Sequence, residues 1–139
     1  MSSLGAFIET VRVYQELDVV GAIWAAGKKL MDGMNSIARE LGIEKNFSVV
    51  GPACSPNYIT LDKAGASSME FRTIFHQELI HHSVLMPCMA LAYAHGAEEI
   101  DMTLQATRSA LDVYRRALND GVDRHLEGRA IKPVFRKKN

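Results

Sequence analysis

Apolar side chains recur along this chain at two periods, and the changes from one to the other mark out its elements. Leu4, Phe7, Ile8, Val11 and Tyr14 fall at helical spacing with Glu9, Arg12 and Gln15 opposite, which predicts an amphipathic leading helix within residues 1–17. A second helix is predicted from an Asp18 N-cap, carrying Val20, Ile23, Trp24, Leu30, Met31, Met34, Ile37 and Leu41 until Gly42 stops it. At Phe47-Ser48-Val49-Val50 the period becomes that of a strand. Gly51-Pro52 breaks it, and Asn57 to Leu61 reads as the next strand before a turn over Asp62 to Gly65. Ser67 and Glu70 have the spacing of a capping box for a helix bearing Phe71, Ile74, Phe75 and Leu79. Ser83 to Met86 and Met89 to Ala94 read as two short strands split by Pro87, which has no N–H to give a ladder.

The last helix opens in Ala97-Glu98-Glu99-Ile100-Asp101, where three carboxylates meet the unpaired N–H groups and positive dipole end of a helix start. Its apolar stripe is Ile100, Leu104, Leu111, Tyr114 and Leu118, with Thr107 in the gap, and it pauses near Gly121 before reaching Leu126. Gly128 and Pro133 mark an irregular tail. From their place on these stripes Leu104, Leu111 and Trp24 are expected to be buried. The element order is helix, helix, two strands, helix, two strands, helix: an α+β fold with a small, largely antiparallel sheet covered by helices. One domain is expected over 1–139, comprising the leading helix (1–17), the α+β body (18–127) and the tail (128–139).

Composition narrows the function classes. With 139 residues and 47% hydrophobic positions the chain can bury a core without metals or disulfides, and no second full domain fits. Sixteen basic and sixteen acidic residues cancel, so no overall charge draws the surface to nucleic acid or anionic lipid, and Arg136-Lys137-Lys138 reads as a solvated end. No run approaches the roughly 18 apolar residues of a membrane span, and the start lacks a signal-peptide layout. Cys54 and Cys88 have neither metal-site nor disulfide-framework spacing. These features predict a cytoplasmic protein with no nucleic-acid or membrane partner.

Candidate chemistry is sparse. His76, His81 and His82 lie at i, i+5 and i+6, off the i, i+4 spacing that puts two metal ligands on one helix face, and they read as residues of an exposed helix end. No metal site is expected. His95, at a turn before a helix, reads as a backbone partner. Ser83 and Cys88 lack a nucleophile context, and Cys88 in an apolar strand reads as a small buried hydrophobe.

The run Ala94-His95-Gly96-Ala97-Glu98-Glu99-Ile100-Asp101-Met102-Thr103 resembles the AHT-x-ED-ID-x-T segment of class III pyridoxal-phosphate (PLP) aminotransferases, with Gly96 in place of Thr. Upstream, Phe71 to Ile80 is similar to that family's helix before a G-V-x-x-x-P strand, matched here by His82-Ser83-Val84-Leu85-Met86-Pro87. From about Leu4 to about Leu118 the order of elements resembles the C-terminal small domain of these fold-type I enzymes, nearest the glutamate-1-semialdehyde 2,1-aminomutase branch. The resemblance implies that this chain helps close an active site whose cofactor lysine, pyridine-facing acid and phosphate cradle belong to a large PLP-binding domain. PLP is then the parent enzyme's cofactor, and this chain alone is expected to bind none and to be inactive, with no catalytic or cofactor-binding residue of its own. None of Lys28, Lys29, Lys45, Lys63, Lys132, Lys137 and Lys138 follows a small-residue strand of the kind that presents the cofactor lysine.

The family's P-S-x-F-E segment is matched by Pro87 and Cys88, which with Met89 are the candidate substrate-lining residues. Pro87-Cys88-Met89-Ala90-Leu91 lacks the aromatic and the glutamate of the aminomutases, and Val50 to Cys54 holds no counterpart of the carboxylate-binding arginine of some class III enzymes. Another amine or keto substrate is therefore as well supported. The expected partners are the large PLP-binding domain and, through the uncovered leading helix, a second copy of the chain. The alternative is a stand-alone protein-interaction module derived from such a domain.

Overall fold

The computed structural model describes residues 2–132. Helix α1 (Ser2–Glu16) leads into α2 (Val19–Glu40), where the Asp18 carboxylate accepts from Gly21 N at 3.0 Å and caps the first turn as the sequence predicts. Beyond α2 the chain turns through Gly42, whose φ of +71° suits a residue without a side chain. Strands β1 (Phe47–Val50) and β2 (Asn57–Thr60) then pair antiparallel, Phe47 opposite Thr60 and Val50 opposite Asn57. Helices α3 (Met69–His81) and α4 (Ala97–Asp120) follow, and a short 3₁₀ turn at Val122–Arg124 ends the regular structure. The architecture is α+β, with helices packed around a small antiparallel sheet.

The period-2 pattern decides which sheet face is covered. Phe47, Val49, Tyr58 and Thr60 are buried, whereas Val50 and Ile59 face outward. On the covered face Phe47 meets Phe75 at a ring separation of 4.9 Å, Tyr58 meets Phe75 at 5.2 Å, and Phe71 of α3 meets Tyr114 of α4 at 4.6 Å. Met34 and Ile37 of α2, Ile74 and Leu79 of α3 and Leu111 of α4 complete the core. The Tyr114 hydroxyl keeps its hydrogen bond by donating to Leu61 O at 2.7 Å, and burial holds its ionisation above the ordinary range. Gly27 lets α2 approach the loop after β1, because a Cβ there would lie 1.8 Å from Ala53 O.

Four sequence expectations are corrected. The third helix is capped by Ser68 and not by Ser67: Ser67 pairs with Leu61 in an isolated antiparallel bridge, so the chain is still extended there, and the Ser68 hydroxyl accepts from Phe71 N at 3.2 Å. Ser83 to Met86 and Met89 to Ala94 are not strands, and the sheet is two-stranded. Ser83 takes a positive φ of 61°, Val84 N closes back onto Leu79 O at 2.9 Å, and the β2 carbonyls a third strand would need are taken, Thr60 O by Ser68 N and Tyr58 O by Arg72. The last helix stops at Asp120, and Gly121 (φ +94°) redirects the chain. Trp24 is 47% exposed, because the first turns of α2 reach past the core, while Leu104 is half-buried and Leu111 fully buried.

After the 3₁₀ turn, the segment to Lys132 runs back along α3. Gln77 brackets it, donating to His125 O and accepting from Glu127 N, both at 3.0 Å, and Thr73 Oγ1 accepts from Ile131 N at 2.9 Å. Pro133 and the basic run Arg136-Lys137-Lys138 lie outside the described residues. Among the described residues, no helix is long and apolar enough to cross a membrane. The stripe on α1 exists as the periodicity predicts but lies open to solvent, with Phe7 65% exposed and Leu4, Ile8 and Tyr14 also exposed.

Candidate functional site

The segment between α3 and α4, residues 82–96, carries the candidate substrate-lining residues, and it is placed by side chains instead of by a strand ladder. Three of these come from β2 and α3. Tyr58 alternates inward on β2, while Arg72 and His76 stand one helical turn apart on α3 and so share the face turned to that strand. The Arg72 guanidinium lies over the Tyr58 ring, 4.3 Å from its centre. It also reaches Tyr58 O at 3.4 Å and Pro87 O at 3.3 Å. The Tyr58 hydroxyl sits 3.2 Å from Met86 O and 3.1 Å from Pro87 O and hydrogen-bonds His76 Nε2.

A phenol donates once, and two of its three neighbours are carbonyls that only accept; donation shared between Met86 O and Pro87 O satisfies both and leaves the phenol oxygen to accept from an Nε2–H of His76. That pattern calls for the Nε2-protonated tautomer of His76. Burial, and then the nearby Arg72 charge, keep its pKa below the ordinary value, while burial pushes the Tyr58 phenol up to about 12. Both groups hold their neutral forms at pH 7.

Downstream, the chain divides the three candidate lining residues. Pro87 and Cys88 are exposed, Leu85 beside them is 81% exposed, and Met89 turns into the core. Cys88 is thus not the buried hydrophobe its apolar surroundings suggest, because no strand forms to bury it. Cys88 and Met89, with Leu30, Val84, Ile100 and Met102, line a cleft of about 220 Å³, and His95 and Glu99 stand at its polar side. Pro87 is set apart from the cleft and contributes its carbonyl to the Tyr58 and Arg72 contacts. His95 Nδ1 accepts from Ala92 N at 3.1 Å, the backbone role read from its turn position. Glu99 accepts from Gly96 N at 2.9 Å and Asp101 pairs with Lys29 of α2 at 2.6 Å, so these two of the three carboxylates at the helix start cap and anchor α4.

The three clustered histidines separate. His81 lies 3.6 Å from Glu78 and 3.3 Å from Glu127 at an exposed helix end, His82 is exposed, and only His76 faces inward. Among the described residues no three His, Cys, Asp or Glu groups come together as a metal would require. The described lysines, Lys28, Lys29, Lys45, Lys63 and Lys132, are all exposed, and Lys28 and Lys29 are ion-paired to Asp32 and Asp101. These residues do not fit a PLP site, which needs a lysine held at the cofactor's carbonyl carbon within an enclosed pocket. Tyr58, Arg72 and His76 escape a reading of the sequence by motif. The only signal for them is the i, i+4 pair of polar side chains on α3 facing the inward period of β2.

Comparison with known proteins points the same way as the motifs. No family model matches the chain. The chain is 27% identical over 117 residues to the 3-aminobutyryl-CoA aminotransferase of Cloacimonas acidaminovorans (strain Evry), covering 81% of this chain and 28% of that protein. Its fold is shared with the PLP internal aldimine form of the Sphingopyxis sp. MTA144 FumI protein, at a TM-score of 0.66 and 24% identity over 79% of this chain and 26% of that one. The chain spans little more than a quarter of the length of either protein. The likeness is to an aminotransferase in sequence and to a PLP-containing protein in fold.

Proposed function

We propose that this chain acts as the C-terminal small domain of a PLP-dependent class III aminotransferase, forming part of the wall that closes over an active site built elsewhere. The observation that carries the proposal is the similarity to an aminotransferase along 81% of the chain. Bound PLP would supply the electron sink for amino-group transfer, and the exposed lysines here leave its anchoring to a large domain. What this chain contributes is the segment of Pro87, Cys88 and Met89, held firmly enough to shape a substrate pocket and exclude water.

The substrate is better sought outside the aminomutase branch, since the Phe and Glu of its P-S-x-F-E segment are absent here. 3-Aminobutyryl-CoA, in the name of the similar protein, carries its amino group at C3, and a non-α-amine of this kind is the class we favour. The large domain is the proposed cover for the open face of α1, and two unpaired cysteines, Cys54 and Cys88, support a cytoplasmic setting. The exposed α1 stripe also suits the second reading, a stand-alone interaction module.

Two measurements test these readings, and the second separates them. Incubation of the chain with PLP and borohydride is expected to leave every lysine substoichiometrically labelled by mass spectrometry, and full labelling of one lysine would overturn the proposal. Reading the coding DNA upstream of Met1 is expected to reveal an in-frame large domain with its lysine. A promoter and ribosome-binding site directly before Met1 would instead support the module.

A further inference from the structure

We infer that Tyr58, Arg72 and His76 are the positioning residues of the Pro87 to Met89 segment, acting as one unit that pins the Met86 and Pro87 carbonyls at its start. The inference rests on the proposed lining role of that segment, but the contacts themselves do not depend on any enzyme. Residues 82–96 have no strand pairing, so their placement falls to particular side chains. Of the backbone groups just before Cys88, Met86 O and Pro87 O both face the Tyr58 hydroxyl, and Pro87 O also faces Arg72. The prolyl nitrogen has no hydrogen to add a further tie.

Each member has a distinct task. Tyr58 supplies the one proton that two carbonyls share, His76 supplies the donor that turns that proton toward them, and Arg72 clamps the ring from above while reaching Pro87 O. Arg72 is also the one described arginine that is not exposed, and no carboxylate lies within ion-pairing distance of it among the described residues. Its partners are carbonyls and a ring face, as a clamp requires. The groups facing His76 are Tyr58 from β2 and Arg72 and Phe75 from α3, with Cys88 beside the Tyr58 hydroxyl. Among the described residues no carboxylate stands there to favour an imidazolium. The consequence is directional: with the carbonyls pinned, Cys88 emerges to solvent and Met89 is delivered to the cleft.

The test uses the full 139-residue chain and reads local placement apart from overall stability. Amide exchange at 84–92 should rise several-fold up to about tenfold in Tyr58→Phe, which removes only the hydroxyl, while exchange within α4 stays near wild type. His76→Leu should do the same. His76→Gln, whose amide nitrogen can take the place of Nε2–H, should restore protection. Nitrogen shifts of the wild-type chain should show His76 protonated on Nε2 at pH 7, and Arg72→Gln should raise the pH at which it titrates, because a neighbouring positive charge has gone. Equal acceleration across 84–92 and α4, or a failure of His76→Gln to restore what His76→Leu loses, would overturn the positioning role. Neither result bears on whether a large PLP domain precedes the chain, so the two proposals fail separately.

Discussion

Leu111 and Thr107 stand one turn apart on α4, neither exposed to solvent, and they make opposite contributions. Leu111 fills the centre of the core, so Leu111→Ala should lower the urea midpoint by the equivalent of roughly 2–5 kcal/mol. That is a large part of the approximately 5–15 kcal/mol typical of a domain. Thr107 buries a hydroxyl that has no hydrogen-bond partner among the described residues, and Thr107→Val keeps the side-chain shape while removing the unmet polar atom. It should raise the midpoint by about 1 kcal/mol, and a fall would mean that the hydroxyl is satisfied in solution. At this scale the α4 stripe was legible because helical spacing alone brings Ile100, Thr107, Leu111 and Tyr114 to one face. Trp24 was not, since periodicity gives the side of a helix that is apolar but not how far along its length a core lies opposite. The same limit hid Arg72 and His76, whose value comes from a strand residue 14 and 18 positions away.

The third helix shows how one residue of offset separates a pattern from a structure. Both Ser67 and Ser68 are serines before an apolar periodic run, and the capping-box spacing favours the first. The structure gives the role to the second because Ser67 is engaged by Leu61. Ser68→Ala should therefore cost about 1 kcal/mol in thermal or urea unfolding, and Ser67→Ala close to nothing, with the reverse ranking refuting the assignment. The elements that sequence periodicity identified correctly are those whose burial repeats over many residues, α2 and α4 above all, and the short β1 and β2 pair, bounded by Gly51 and Pro56. The two further strands failed because a run of apolar residues is also what a pinned, non-repetitive segment over a core looks like. Pro87 was the warning in that stretch, marking a backbone that could not complete a ladder.

Across the whole molecule, the apolar stripe of α1 stands out because Leu4, Phe7, Ile8 and Tyr14 are exposed side by side on one helix. Burying such area gains roughly 25 cal/mol per Å², so the isolated chain should self-associate through it as a symmetric dimer. Sedimentation at rising concentration checks this, and Phe7→Asp should shift the equilibrium toward monomer; a chain that sediments as a monomer throughout would show that α1 needs no cover. How such a chain sticks to itself is set by a different residue. Asn35 of α2 gives both halves of its amide to one residue of β1, accepting from Val49 N at 2.8 Å and donating to Val49 O at 2.9 Å. A side chain thereby occupies the place of a neighbouring strand, and the backbone that would otherwise template ribbon growth is already spoken for. Clustering through α1 can then remain a reversible matter of greasy contacts, while fibrous assembly through β1 must wait until α2 lifts away.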